Sequence, residues 1–142
     1  MTTNAPKSKK RVLGREADSA EDNHESTRVT VRMSQLILDG IKSDMEDEGY
    51  SKKDRSRWIS EAVQEMWEQF EHEPVDDRIL YLKLTSPLRE NMKSFDIYLS
   101  ETSVPPFYKM VKFAEEAGLG KDPKTRVAYM AISMRLIRRG RI

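Results

Sequence analysis

Residues 28–33 have the sequence Arg28-Val29-Thr30-Val31-Arg32-Met33, in which polar and apolar side chains alternate strictly. This period of two predicts one short β-strand whose valine and methionine side chains face a core, while Arg28, Thr30 and Arg32 face outward. A two-stranded ribbon is not stable alone in water, so the strand needs a partner strand and helices beneath its apolar face.

Two helices are predicted directly after this strand. Ser34 lies where an N-cap belongs, and Ile37, Ile41 and Met45 follow at helical spacing. These features predict a first helix over about 34–48, with Gly49 as a C-cap. After a polar loop over 50–53, a second apolar stripe predicts a helix over about 54–71.

The same pattern recurs at an offset of 51 residues. Residues 79–84 alternate again, and their period predicts a second strand with Leu80, Leu82 and Leu84 on its buried face. An N-cap at Thr85 or Ser86, with Pro87 in the first turn, predicts a helix that runs to about residue 99.

Two more helices are predicted, over about 106–117 and 123–138. In one interpretation the last helix corresponds to the second helix of the first copy, and 106–117 is an insertion. In the alternative interpretation, 106–117 is that second helix.

The fold class that follows is mainly α with a short β-ribbon, in which strand-helix-helix occurs twice and an extra helix is inserted in the second copy. The predicted organisation is a disordered basic-then-acidic arm over 1–26, a first unit over 27–71, a linker over 72–77 and a second, divergent unit over 78–142.

Composition argues against most enzyme classes. The chain has no cysteine and only two histidines, His24 and His72, so neither a thiolate metal site nor a Ser-His-Asp triad is expected. No glycine-rich phosphate loop occurs. We therefore expect no enzymatic activity, no cofactor and no metal.

The apolar content is low for a chain of this length. With 37% hydrophobic residues the core is lean, which favours duplicated small units or a partner chain, so a homodimer or higher homo-oligomer is expected. The apolar runs are too short to span a membrane, and the N-terminus lacks a signal-peptide apolar region, so a cytoplasmic location is expected.

Basic residues are concentrated at the two ends of the chain, over 1–15 and 121–142, and the middle is acidic. One interpretation is that these ends contact a polyanion, and the other is that they are solubilising tails.

The order of strand, helix and helix resembles the ribbon-helix-helix (MetJ/Arc) DNA-binding family. The resemblance covers residues 27–70 and extends more weakly over 78–138, and the loop between the first two helices is longer than is usual in the family. It implies binding of double-stranded DNA with the ribbon in the major groove. The residues that carry it are the strand 28–33, the cap Ser34, the turn Gly49-Tyr50 and Arg55-Ser56-Arg57-Trp58-Ile59-Ser60-Glu61-Ala62-Val63.

The outward residues of the strand have suitable chemistry for contacts with bases. The guanidinium fork of arginine matches guanine O6 and N7, and threonine can donate, accept or touch a thymine methyl. The predicted base contacts are therefore Arg28, Thr30 and Arg32.

The start of the second helix is a candidate phosphate site, because backbone N–H groups at a helix N-terminus bind phosphate and basic side chains are concentrated there. The resemblance places the family's backbone clamp at this point. The predicted phosphate contacts are Lys52, Lys53, Arg55 and Ser56, and the equivalent clamp in the second copy is Lys124, Thr125 and Arg126. Tyr81 and Lys83, on the outward face of the predicted second strand, are further possible DNA contacts of that copy.

The predicted function is a sequence-specific, double-stranded DNA-binding transcriptional regulator. An accessory factor of plasmid conjugation or partition is an alternative, and an antitoxin-like protein-interaction module is an alternative of another class. Whether the two strands pair within one chain or between chains stays open at the level of sequence.

Overall fold

The computed structural model describes residues 26–85 and 92–142. This part of the chain is mainly helical and contains one two-stranded antiparallel sheet. The elements in chain order are β1 (Arg28–Met33), α1 (Gln35–Asp47), a 3₁₀ turn (Lys52–Asp54), α2 (Arg55–Phe70), α3 (Val75–Leu84), β2 (Lys93–Tyr98), α4 (Val104–Glu116) and α5 (Pro123–Arg138).

The sheet is a ribbon formed within a single chain. β1 pairs with β2 in a register that sets Arg28 opposite Tyr98, Thr30 opposite Asp96 and Arg32 opposite Ser94. Because opposite residues in a sheet share a face, these six side chains lie together, and all six are exposed. The question of pairing within or between chains is thereby answered for this structure.

The other face of the ribbon lies on the core. The predicted inward residues of β1 are buried. The alternation in β2 places Ile97 and Phe95 on the same face, where Ile97 is buried and Phe95 is partly buried against the core. Each inward β1 side chain is at most 1% exposed, which confirms the predicted orientation of the strand: Val29, Val31 and Met33.

The first two helices occur where the sequence predicts them. The hydroxyl of Ser34 accepts from the backbone N–H of Ile37 and caps the start of α1. The helix ends before Gly49, whose φ is 82°. A capping box between Ser51 and Asp54 caps the 3₁₀ turn that precedes α2 and satisfies the first backbone donors of that turn. The predicted helices over 106–117 and 123–138 correspond to α4 and α5.

Helix α5 lies at the centre of the fold and packs on β1, α1, α2, α3 and α4. Most residues of α5 between Val127 and Leu136 are buried, and most of these are apolar. Two backbone hydrogen bonds join the segments that follow the strands to the central helices. The N–H of Ser34 donates to the hydroxyl of Tyr129 on α5 at 2.7 Å, and the N–H of Ser100 donates to the hydroxyl of Ser60 on α2 at 3.0 Å.

The second strand is not where the alternation of leucines predicted it, because residues 79–84 belong to helix α3. Pro74 occupies the N-cap, and Asp76 and Asp77 in the first turn stabilise a helix N-terminus. Of the three leucines that were expected to be buried, only Leu82 is; Leu80 and Leu84 are exposed. The predicted linker over 72–77 also runs into α3, which starts at Val75.

The helix that was predicted to run to about residue 99 is also wrong, because residues 93–98 form β2. Thr85 is the C-cap of α3 and not an N-cap. Ser86 and Pro87 lie outside the described residues, as does the arm predicted over 1–26 except for its last residue. Both alignments of the second copy depend on a strand over 79–84 and a helix that runs to about residue 99, and the structure has neither, because residues 79–84 are helical and residues 93–98 form β2.

Candidate nucleic-acid interface

The candidate interface is the outer face of the ribbon together with the helix ends beside it. β1 contributes Arg28, Thr30 and Arg32, which the sequence predicted as base contacts, and all three are exposed on one surface. β2 contributes three residues that the sequence analysis missed: Ser94, Asp96 and Tyr98.

Helix α2 begins beside β2. The guanidinium carbon of Arg55 lies 4.3 Å from the centroid of the Phe95 ring, which is cation–π distance and fixes the first turn of α2 at the edge of the ribbon. The neighbouring side chains of Lys52 and Lys53 are exposed, and Ser56 is half-buried. Arg55 therefore lies beside the ribbon, and the other three predicted phosphate contacts of the first unit are within three residues of it in the chain.

Helix α5 begins beside β1 on the other side. The backbone N–H of Arg32 donates to the hydroxyl of Thr125 at 3.0 Å, so the first turn of α5 touches the strand. Asp122 caps this helix by accepting from the N–H of Thr125. The positive ends of two helix dipoles thus flank the ribbon, one next to each strand.

The predicted contacts at the start of α5 have three different environments. Lys124 is exposed, with its ammonium 5.8 Å from the Tyr108 ring centroid. Thr125 is buried, and its hydroxyl already accepts from Arg32. Arg126 donates to the carbonyl of Leu82 on α3 at 3.1 Å. Lys124 is therefore the residue of this group whose side chain is most available to a ligand.

Tyr81 and Lys83 do not lie on the ribbon, which corrects the prediction that both belong to its second strand. They are part of α3, where the Tyr81 hydroxyl donates to Glu73 and accepts from Gln69 at 3.1 Å. The hydrogen bond to Glu73 raises the pKa of Tyr81 above its ordinary value. This tyrosine serves to hold α3 against the end of α2.

The centre of the outer face carries a carboxylate. Thr30 and Asp96 are directly opposite, and the Thr30 hydroxyl donates to Asp96 Oδ1 at 2.6 Å. The side chains of Arg28 and Arg32 lie on either side of Thr30 in β1. The ribbon thus presents both strong donors and a strong acceptor.

Most arginines of the basic C-terminal end are engaged inside the protein. Arg135 is buried and pairs with Glu61 and Glu65 of α2, and Arg138 also pairs with Glu65. Arg139 and Arg141 pair with acidic residues at the end of α1. Neither sequence-based interpretation of this end describes these four arginines, because their partners are carboxylates of the same chain.

The comparisons with known proteins add no relative: no protein-family model, curated protein or solved structure matches this chain. Within residues 26–85 and 92–142, no helix combines the length and apolar character needed to cross a membrane. In the same residues, no group of three or more histidine and acidic side chains could hold a metal ion.

Proposed function

We propose that this protein is a sequence-specific, double-stranded DNA-binding regulator of transcription, of the ribbon-helix-helix type. In this proposal β1-α1-α2 and β2-α4-α5 are the two units, α3 connects them, and both strands of the ribbon come from one chain. The observation that carries the proposal is the exposed six-residue face of the ribbon flanked by the first turns of α2 and α5.

The dimensions and chemistry of this surface support the proposal. The major groove of B-DNA admits a two-stranded ribbon, and arginine side chains on such a ribbon reach the base edges. Phosphates on either side of the groove would then meet Lys52, Lys53 and Arg55 at α2, and Lys124 at α5. Since the C-terminal arginines pair with carboxylates of the same chain, they are less available to DNA than the basic groups around the ribbon.

Selection from a pool of random duplexes tests this function. The wild-type protein is expected to enrich one motif, and the double variant Arg28→Ala/Arg32→Ala is expected to lose it while keeping its melting temperature, because both side chains are exposed. Lys109→Ala is the matched control, since this exposed lysine lies over the Trp67 ring near the far end of α2. If the wild-type protein enriches no motif, or the double variant enriches the same one, the proposal is wrong.

A further inference from the structure

We infer that the DNA target of this protein is non-palindromic and carries a preferred cytosine at its centre, which is recognised by Asp96. The inference rests on the proposed function and adds the base pattern that the ribbon selects.

The asymmetry follows from the register of the two strands. The pseudo-two-fold axis of the ribbon passes between Thr30 and Asp96, because the outer pairs Arg28–Tyr98 and Arg32–Ser94 lie on either side of them. A rotation about this axis exchanges threonine with aspartate, and each arginine with a serine or a tyrosine. No outer residue is replaced by its own type, so the two half-sites meet different donors and acceptors.

The central carboxylate limits which base can lie beside it. In the major groove, guanine presents O6 and N7 and thymine presents O4, which are all acceptors and repel a carboxylate. Cytosine presents its N4 amino group, which is a donor, and adenine presents a donor next to the acceptor N7. Asp96 therefore favours cytosine first and adenine second.

Thr30 strengthens this selection. Its hydroxyl hydrogen points to Asp96 Oδ1, so the threonine oxygen presents lone pairs outward and Asp96 Oδ2 keeps its capacity to accept. The centre of the ribbon is thus an acceptor surface, and an unpaired acceptor pressed against a guanine or thymine edge disfavours those bases.

The test is the same selection from random duplexes, carried out with the wild-type protein, Asp96→Asn and Asp76→Asn. The first variant keeps the shape of the side chain and removes its charge. The second removes the same charge from the start of α3. Because both residues are exposed, both variants should stay folded, and circular dichroism melting should show at most a small decrease, which in Asp76→Asn comes from the charge lost at the N-terminus of α3.

The expected wild-type motif is non-palindromic, with one central cytosine whose replacement weakens binding by about 5- to 150-fold. In Asp96→Asn this position should shift toward adenine, because an amide matches adenine N6 and N7. Asp76→Asn should enrich the wild-type motif. A palindromic motif, or an unchanged central preference in Asp96→Asn, overturns this inference and leaves the proposed function standing. Enrichment of no motif by the wild-type protein overturns both.

Discussion

The indole Nε1 of Trp58 donates a 2.8 Å hydrogen bond to the carboxylate of Asp44, and both side chains are fully buried. Trp58 lies in the first turn of α2, and Asp44 lies near the end of α1. The same carboxylate also accepts from Arg139 and Arg141 at 2.9 Å each. One side chain therefore joins α1, α2 and the C-terminal segment.

Replacement of Asp44 by alanine should destabilise the protein by about 3 kcal/mol. This is the lower end of the cost of breaking a buried ion pair, because Arg139 and Arg141 are partly exposed and can be rehydrated. Urea unfolding measures the change. Glu46→Ala, on the exposed side of the same helix, should change stability by less than about 0.5 kcal/mol. Equal losses in both variants would contradict a structural role for the buried carboxylate.

The stability of the fold should fall in acid. Burial alone raises the pKa of the Asp44 carboxyl, but hydrogen bonds from Trp58 and Arg141 and the charge of Arg139 outweigh it and hold this pKa below its ordinary value of 3.8. A carboxyl with a lowered pKa in the folded state stabilises the fold fully above its ordinary value, and this contribution disappears as the pH falls through the folded pKa.

The measurement for this pH dependence is urea unfolding of the wild type and Asp44→Asn at a series of pH values. The difference in free energy of unfolding should be constant near neutral pH and shrink below pH 3.8. The pKa of the Glu61 carboxyl is lowered in the same way. Burial raises this pKa, but hydrogen bonds from Tyr50 and Arg135 outweigh the effect of burial and hold the pKa below its ordinary value. A difference that grows in acid would contradict the assignment for Asp44.

Substitution of Arg32 by alanine should cost ~1–3 kcal/mol of binding free energy on the selected duplex and relax base preference at one position. The fold should be retained, because the contact of Arg32 with Thr125 is made by its backbone N–H, which alanine keeps. Fluorescence anisotropy on the selected duplex and on a scrambled duplex separates the two effects. Equal losses on both duplexes would make Arg32 a phosphate contact and not a base contact.

Lys52 and Lys124 should contribute equally to the binding of every DNA sequence, because they are expected to contact phosphates and not bases. Lys52→Ala and Lys124→Ala are each expected to weaken binding to selected and scrambled duplexes alike and to reduce the salt slope of log K by about 1. Titrations at several salt concentrations give the slope, with Lys109→Ala as the control that should leave it unchanged. An unchanged slope in both variants would place the phosphates elsewhere.

Alanine substitutions at Leu82 and Leu84 distinguish helix α3 from a strand. Leu82 is 0% exposed and Leu84 is 73% exposed. Leu82→Ala should therefore cost about 2–5 kcal/mol, and Leu84→Ala less than about 0.5 kcal/mol. In a strand the two residues would share one face, so equal costs in urea unfolding would favour a strand over 79–84.

The positions of β1, α1, α2, α4 and α5 could be predicted from the sequence, because each of these elements has a strong local pattern of apolar residues or a recognisable end signal. It failed for α3 and β2. Leu80, Leu82 and Leu84 alternate as in a strand, but a ten-residue helix with two exposed leucines gives the same pattern. The choice depends on packing against α5, which is a long-range contact.

The signal for β2 was present in the sequence. Phe95, Ile97 and Leu99 alternate with Ser94 and Asp96, as the two faces of a ribbon strand require. Extending the preceding helix through these residues concealed the alternation, and the outer residues of β2 were lost from the candidate site. Likewise, the charge of the C-terminal arginines could be counted from the sequence, but their carboxylate partners lie about 70 to 100 residues away and could not be identified.

Closure of the ribbon within one chain has a consequence for how the protein responds to dilution. When a ribbon is shared between two chains, its formation is tied to a monomer–dimer equilibrium, and the active species declines with the square of protein concentration once the dimer dissociates. Here β1 and β2 are tethered by the intervening residues, so their pairing is unimolecular. The ribbon, which is the DNA-binding surface in the proposed function, should then stay formed on dilution, and its formation should not depend on protein concentration.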